Sequence, residues 1–341
     1  FVYFYNGFKE MPDFTSIKFL NKTNLIASHI PNQLLDINFY FRDKPIFDNR
    51  LNGDIFFSPH FNNIKTKIPR VLTFHDLSFI HYPHFFNFKR RLWHRLQMPE
   101  VQAKLATHLI AVSEYTKNDL VNMYNIPSEK ISVNYSGIST KIKKKKLDLK
   151  LNSEFKRQYT ILKPYILYLG TIEPRKNIDF AIRAFSQLKT ETLFKDIEFL
   201  IVGEKGWLYD QIHEEALKSK YYDDIRFLGK IKNEDRPYFY KNALAFVYPS
   251  FFEGFGFPPL EAQAMGTPVI ATNRSSLPEI LGDSAILIDP WKVRDFCEAL
   301  KTLISRPVEK ESYIMSGYAN AAKYSWQNTA KESMKLFNKI K

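Results

Sequence analysis

A stretch of 25 residues from Tyr248 to Thr272 constrains the fold of this chain more than any other part of its sequence. An apolar run ends at a proline and a serine, Gly254 and Gly256 follow, and a pair of prolines then opens a helical segment that ends at Gly266. Glycine adopts positive φ at little cost, and proline is well tolerated in the first turn of a helix. The stretch therefore predicts a strand, a glycine turn, a helix and a second strand.

The glycine turn also predicts a binding site for an anion. A helix that begins at such a turn has backbone N–H groups without partners, and the positive end of its dipole faces the ligand, which is most often a phosphate. Glu253 and Glu261 flank the turn. Since a carboxylate repels phosphate, each is expected to bind a hydroxyl group of a sugar or a ribose. Considered singly, Glu253 could instead cap the loop, and Glu261 could simply favour the start of the helix.

Together, the two glutamates, the seven residues between them and the sequence GFGFPP resemble the signature of the retaining glycosyltransferases of family 4, the large group 1 family. The resemblance implies that Glu253 contacts the donor sugar and that Glu261 contacts the ribose of the nucleotide. It is dense over residues 164–290 and looser over residues 54–137. The donor site would also include four residues of the turn: Gly254, Phe255, Gly256 and Phe257.

Two cations lie upstream of this signature, on the loop that follows a predicted strand ending at Gly170. Arginine binds a phosphate group through two parallel hydrogen bonds, whereas lysine acts as a point charge. The resemblance identifies Arg175 and Lys176 as the clamp on the leaving diphosphate. Many relatives carry an arginine directly after the glycine, where this chain has Thr171, so the guanidinium role is assigned here to Arg175.

Further contacts are predicted at other strand ends. Gly203 ends one strand and is predicted to contact the donor. In the family, the base of the nucleotide stacks beside the turn that follows the next strand, where this chain has Lys230 and Ile231. In the first half of the chain, His75 follows a strand, and ligands of open α/β sheets bind at the carboxyl ends of strands. The resemblance places His75 in the cleft against the transferring sugar, although a lone histidine at such a position is often structural.

The fold predicted is α/β, namely the GT-B fold with two Rossmann-like, doubly wound domains that face an interdomain cleft. We divide the chain into a first domain (1–138), a basic linker (139–163), a nucleotide-sugar domain (164–325) and a helix expected to cross back to the first domain (326–341). The chain opens directly on an apolar strand. Members of the family open with a strand, a glycine loop and a helix, so this unit is expected to be missing.

Composition excludes several classes of protein. A hydrophobic fraction of 45% is typical of globular chains. The single cysteine, Cys297, excludes an internal disulfide and a cysteine metal cluster. No apolar run is long enough to span a bilayer and nothing resembles a signal peptide, so a cytoplasmic location is expected.

The net charge of +13 is concentrated in the first domain and the linker. A helical segment there alternates basic and aromatic residues, which is typical of an element that lies on an anionic membrane. Its members are Lys89, Arg90, Arg91 and Arg95 among Phe85, Phe86, Phe88 and Trp93. A helix with a buried aromatic face and a solvated basic face is the alternative.

The function predicted from the resemblance is retaining transfer of a hexose from a nucleoside diphosphate to a hydroxyl of a glycan or lipid-linked acceptor. Lys176 and Arg175 would neutralise the leaving diphosphate, and the leaving phosphate would take the acceptor proton, so neither a separate base nor a metal or other cofactor is expected. The sequence YLGTIEPRKN resembles mannosyltransferases that build bacterial polysaccharides such as lipopolysaccharide. GDP-mannose and a lipid diphosphate acceptor are therefore the substrates expected.

Two other functions remain open at this point. The same fold and anion site serve sugar-nucleotide epimerases and phosphorylases, although a phosphorylase would need a lysine for pyridoxal phosphate and a longer chain. A non-catalytic protein that binds a nucleotide sugar or nucleic acid is the second alternative. Nucleic acid is not expected, because the chain has no ordered motif of stacking aromatic residues.

Overall fold

The computed structural model describes residues 2–6, 24–28, 53–63, 65–139 and 148–341. The first residue and most of the basic run predicted for the linker, residues 140–147, lie outside these ranges, as does any unit expected before the first strand. For residues 2–6 and 24–28 only the backbone is described: they form β1 (Val2–Asn6) and β2 (Asn24–Ser28), which pair in parallel.

The other described strands of the first domain form a second, four-stranded sheet in which every pair is parallel. Its order is β3-β4-β5-β6. These strands are β3 (Phe56–Ser58), β4 (Arg70–Phe74), β5 (His108–Ala111) and β6 (Ile131–Val133). The helices of this domain are α1 (Ser78–His81), α2 (Phe88–Gln97), α3 (Pro99–Leu105) and α4 (Glu114–Tyr124).

The second domain has a six-stranded parallel sheet in the order β12-β11-β10-β7-β8-β9. Its strands are β7 (Tyr165–Leu169), β8 (Glu198–Val202), β9 (Ile225–Gly229), β10 (Ala245–Tyr248), β11 (Val269–Thr272) and β12 (Ile286–Ile288). Its helices are α5 (Leu149–Gln158), α6 (Ile178–Leu188), α7 (Tyr209–Leu217), α8 (Arg236–Asn242), α9 (Phe257–Ala264), α10 (Leu277–Leu281), α11 (Val293–Ser305) and α12 (Pro307–Ala322).

The strand order of the second domain determines where a ligand can bind. Later strands lie on both sides of β7: β8 and β9 extend the sheet in one direction, and β10, β11 and β12 extend it in the other. The sheet therefore changes direction between β7 and β10, and doubly wound sheets bind ligands at the carboxyl ends of strands at such a point. All residues of β7, β8, β10 and β11 are buried, which is why these strands appear in the sequence as apolar runs.

Part of the predicted linker belongs to the second domain. Asp148 caps α5 by accepting hydrogen bonds from the first turn, and Phe155 on this helix is 3% exposed. Its ring packs against Tyr238 and Phe239 at centroid distances of 5.6 and 4.7 Å. The lysine-rich composition led the sequence analysis to a linker over residues 139–163, but one buried aromatic residue fixes this helix on the core of the second domain.

The last helix, α13 (Trp326–Ile340), returns to the first domain. The side-chain amide of Asn134, which follows β6, donates to the carbonyl oxygen of Thr329 at 3.0 Å and to the hydroxyl of Ser333 at 2.9 Å. Phe337 contacts Phe57 of β3 at a centroid distance of 5.3 Å. Contacts between the two domains thus include the end of the chain as well as the cleft. Within the described ranges, no helix has the length and apolarity that a membrane span requires.

Candidate active site

The loops after β7 and β10 meet at the point where the sheet changes direction. After β7, residues Pro174–Lys176 form a single turn of 3-10 helix, and Asn177 follows with φ of +54°. The side-chain amide of Asn177 donates to the carbonyl oxygens of Pro249 and Pro290, both at 3.2 Å. The N–H of Phe251 donates to the carbonyl oxygen of Arg175 at 2.9 Å. These bonds fix the predicted cation pair beside the predicted glycine turn.

Lys176 and Glu253 form a buried ion pair at this point. The ammonium Nζ of Lys176 donates to Glu253 Oε1 at 2.5 Å and to the hydroxyl of Tyr248 at 2.8 Å. Burial by itself would raise the pKa of Glu253, but the charges of Lys176 and Arg175 outweigh it and lower that pKa to about 2. Burial, and after it the charge of Arg175, lowers the pKa of Lys176. The two cations therefore stabilise the carboxylate of Glu253, whereas the attraction of Glu253 only partly offsets the effect of burial and of Arg175 on the ammonium of Lys176.

Arg175 is held by three neighbouring residues. Its Nη2 and Nε donate to Glu173 Oε1 at 2.7 and 3.1 Å, and its Nη1 donates to the carbonyl oxygen of Phe252 at 2.6 Å. Nη1 also lies 3.3 Å from Glu253 Oε2. The burial of Arg175 disfavours its charge, but Glu253 and Glu173 more than offset this and raise its pKa. Glu173, which is 3% exposed, was missed by the sequence analysis, although it adjoins the cation pair in the sequence.

Glu261 lies on α9, as predicted, and is also buried. Its Oε2 accepts hydrogen bonds from Nη2 of Arg236 at 2.5 Å and from the hydroxyl of Tyr240 at 2.9 Å. Burial raises the pKa of Glu261, and the charge of Arg236 opposes that rise. Arg236 and Tyr240 are on α8 and belong to no motif, so no sequence pattern predicted their contact with Glu261. They fix the orientation of the carboxylate that is predicted to bind ribose.

The glycine turn packs directly against the first domain. A Cβ atom at Gly254 would lie 1.6 Å from the carbonyl oxygen of His75 and 3.0 Å from Cβ of Asp76. The side chain of His75 is exposed, and its Nε2 donates to the carbonyl oxygen of Pro59 at 2.8 Å. The structure therefore brings His75 to the cleft opposite the turn. Gly256 precedes α9 with φ of +101°, a conformation that favours glycine.

Aromatic residues extend this contact between the domains. Phe252 packs against His81 and Tyr115 of the first domain at centroid distances of 4.9 and 5.6 Å. Phe251 packs against Tyr82 and Phe85 at 6.2 and 5.6 Å. Both phenylalanines directly precede Glu253, so the position of this glutamate depends on both domains.

The remaining predicted donor residues lie at the carboxyl edge of β7, β8 and β9. Gly203 lines a cavity of about 610 Å³ together with Tyr209, His213 and Phe227, which the sequence analysis did not single out. Lys230 is exposed and forms an ion pair with Glu204. The full set of predicted donor residues near this edge is Gly170, Thr171, Gly203, Lys230 and Ile231. Their roles stay predictions.

No group of three histidine, cysteine or acidic residues in the described part of the chain is arranged to hold a metal ion. The ionisable groups of the site are the buried cations Arg175 and Lys176 with Glu173 and Glu253 beside them, Glu261 with Arg236, and the exposed ring of His75. This arrangement can bind and stabilise a dianionic phosphate and can hold hydroxyl groups of a sugar.

Two Rossmann-like domains that face a cleft, with buried cations at the switch point of the second, define the chain as a glycosyltransferase of the GT-B fold. Residues 152–320 match the family Glycosyl transferases group 1, and residues 31–142 match Glycosyltransferase Family 4. The chain therefore belongs to the family 4 glycosyltransferases, which are also called group 1. Both the family and the fold predicted from the sequence are thus confirmed.

Two relatives support the assignment to this family, and one solved structure supports the fold. O-antigen chain mannosyltransferase B of Escherichia coli is 30% identical over 291 residues, which are 84% of this chain and 73% of the relative. O-antigen chain mannosyltransferase RfbU of Salmonella typhimurium is 28% identical over 240 residues, which are 70% of this chain and 62% of the relative. The structure of Anabaena Alr3699/HepE in complex with UDP-glucose has a TM-score of 0.70 at 16% identity, over 93% of this chain and 86% of the other.

Proposed function

We propose that this glycosyltransferase moves a hexose from a nucleoside diphosphate sugar to a hydroxyl group of a glycan or lipid-linked acceptor, with retention at the anomeric carbon. The observation that carries the proposal is the buried ammonium of Lys176 at the switch point, 2.5 Å from Glu253. Ligands of doubly wound sheets bind at the carboxyl ends of strands at such a switch point, and a buried cation there supports the proposal of a diphosphate ligand. Its present partner, a carboxylate, is a group that phosphate can replace.

In the proposed reaction, the bond between the anomeric carbon and the diphosphate breaks while the acceptor oxygen bonds to the same face of that carbon. Lys176 stabilises the charge that develops on the leaving diphosphate, and the leaving phosphate oxygen takes the acceptor proton. Glu253, displaced from Lys176 by the phosphate, then binds hydroxyls of the sugar. Arg175 keeps the loop after β10 in place through the carbonyl oxygen of Phe252, and His75 contacts the sugar from the first domain.

The two O-antigen mannosyltransferases support mannose as the sugar, and the UDP-glucose complex of the structural neighbour supports a nucleoside diphosphate sugar as the donor class. We propose GDP-mannose as the donor. The acceptor proposed is a growing polysaccharide on a lipid diphosphate at the cytoplasmic face of the membrane. No metal ion or other cofactor is part of the proposal.

Titration calorimetry with GDP, UDP and ADP and with their common sugars tests the donor site. One nucleotide is expected to bind, and Glu261→Ala is expected to weaken its binding about 10- to 100-fold, because a charged hydrogen bond contributes about 1.5–3 kcal/mol. Glu298→Ala on α11, where the side chain is exposed and forms an ion pair with Lys301, serves as the matched control. Failure of folded wild-type protein to bind any of these nucleotides would overturn the proposed donor site. Free epimerised sugar as the product would favour an epimerase.

We also propose that α2 binds the surface of an anionic membrane. Phe88, Leu92 and Trp93 on this helix are 74%, 45% and 36% exposed. The basic residues Lys89, Arg90, Arg91 and Arg95 are exposed on the same helix. Aromatic residues next to cations suit the interface of an anionic bilayer.

Replacement of Arg91 and Arg95 by glutamine is expected to weaken binding to vesicles that contain phosphatidylglycerol about 30-fold, since each cation contributes about 1 kcal/mol. Cosedimentation measures the change, and neutral vesicles should show none. The control replaces the exposed Lys218 and Lys220, which follow the end of α7, by glutamine. Equal losses in the two double variants would show a nonspecific charge effect and not a membrane-binding helix.

A further inference from the structure

The first turn of α4 is completed by a side chain from the other domain. Ser113 precedes this helix, and its hydroxyl accepts a hydrogen bond from the N–H of Thr116 at 3.1 Å, which is how serine caps a helix. The N–H groups of Glu114 and Tyr115 donate to the two carboxylate oxygens of Glu279, at 2.7 and 2.9 Å. These N–H groups have no acceptor within the helix. Glu279 of the second domain provides the acceptor oxygens for both.

A short segment connects Glu279 to the predicted donor-site glutamate. The hydroxyl of Ser275 accepts a hydrogen bond from the N–H of Glu253 at 2.8 Å. The N–H and hydroxyl of Ser276 both donate to the carbonyl oxygen of Glu253, at 3.3 and 2.8 Å. Ser276 is completely buried and directly precedes α10, the helix that carries Glu279. The same five-residue stretch therefore holds the backbone of Glu253 and binds the first domain.

We propose that Glu279 is a positioning residue that holds the domains together at the cleft, so that His75 meets the turn at Gly254. A carboxylate at a helix N-terminus is favoured by the dipole of the helix and by charge-assisted hydrogen bonds. Tyr135 of the first domain lies near the same carboxylate: burial, and after it the hydrogen bond to Glu279, raises the pKa of its phenol. The kinetic consequence rests on the proposed glycosyl transfer, whereas the effect on the arrangement of the domains needs no ligand.

Distances between spin labels on the two domains test the arrangement directly. Labels at Glu129→Cys and Glu309→Cys are on exposed residues of the first and second domains, and the native Cys297 is buried. Without any nucleotide, Glu279→Ala is expected to broaden the distance distribution and to shift it relative to the same labelled chain with Glu279. An unchanged distribution would overturn the proposal. Because no substrate is present, this outcome does not depend on the donor.

Turnover of the nucleotide sugar that binds gives the second readout. Glu279→Ala is expected to lower kcat about 10- to 100-fold, because His75 would be displaced from the turn, while the Kd of the donor stays nearly constant. Glu279→Gln, which keeps one acceptor oxygen, should fall between this variant and wild type. A parallel loss of donor affinity and kcat would contradict a positioning role.

Ser113→Ala separates positioning from stabilisation of the helix, because it removes a cap of α4 from within the first domain. This variant is expected to melt at a lower temperature but to keep the wild-type distance distribution and kcat. If it reproduces the loss seen with Glu279→Ala, Glu279 acts only by stabilising α4 and the proposal fails. Absence of turnover in the wild type would reject the proposed donor, and the label distances would still decide the role of Glu279.

Discussion

Gly254→Ala is expected to reduce glycosyl transfer at least about 100-fold, since a displacement of about 1 Å in a reacting site can have an effect of that size. The new Cβ atom would lie 1.6 Å from the carbonyl oxygen of His75, a backbone atom that cannot rotate away. The first domain must therefore move back from the turn. The N–H groups of the turn and the cation pair are untouched, so the affinity for nucleotide should change little. Calorimetry and a transfer assay on the same preparation measure the two effects.

Gly256→Ala is the informative comparison for this variant. Gly256 has φ of +101°, and a Cβ atom there would lie 2.9 Å from Cδ2 of Leu277, within the same domain. The substitution should strain the start of α9 and thereby reduce both thermal stability and nucleotide binding. If Gly254→Ala behaves in the same way, or if it transfers sugar at the wild-type rate, the contact between the turn and His75 is not part of the reactive arrangement.

Lys176→Met is expected to reduce kcat/KM about 10²- to 10³-fold, the usual effect of removing one group that stabilises a developing oxyanion. It should also destabilise the fold by several kcal/mol, because breaking a buried ion pair leaves an uncompensated charge, at a cost of about 3–5 kcal/mol. Arg175, 3.3 Å from the other carboxylate oxygen, will limit that cost. Urea unfolding measures stability, and the transfer assay measures kcat/KM.

The double variant Lys176→Met/Glu253→Gln separates these two effects. It removes the orphaned carboxylate, so we expect it to recover most of the lost stability and none of the lost activity. A double variant as unstable as Lys176→Met would show that Glu253 is not the charge that Lys176 compensates. Recovery of activity would show that Lys176 does not act on the leaving group.

The sequence predicted the site largely where its residues are close together along the chain. The glycine turn, the helix after it and the cation pair after β7 are local patterns, and the family signature connected them. Patterns of this kind cannot give pairings between distant elements. The sequence analysis assigned Lys176 and Glu253 to different parts of the donor, whereas in the structure they bind each other at 2.5 Å. No sequence pattern indicated that Arg236 pairs with Glu261.

The same limit applies to the contacts between the domains. The sequence analysis placed Gly254 in the donor site, whereas in the structure a Cβ atom at this position would meet the carbonyl oxygen of His75. Glu279 lies outside every motif that we identified. Its role becomes visible only when α10 and α4 are placed side by side, because its partners are backbone N–H groups that any residue would provide. Composition alone was misleading for α5. Its charged residues led to the prediction of a linker, but its buried Phe155 packs the helix against the second domain.

The return of α13 to the first domain restricts how the enzyme can open. The chain passes from one domain to the other after Gly137 and again before Trp326, and these passages touch: a Cβ atom at Gly137 would lie 2.0 Å from the backbone nitrogen of Trp326. The rings of Tyr135 and Tyr324 are in contact beside them at 5.9 Å. We expect these two adjacent connections to act as one hinge about which the domains rotate, because sliding or separating the domains would require this contact to break.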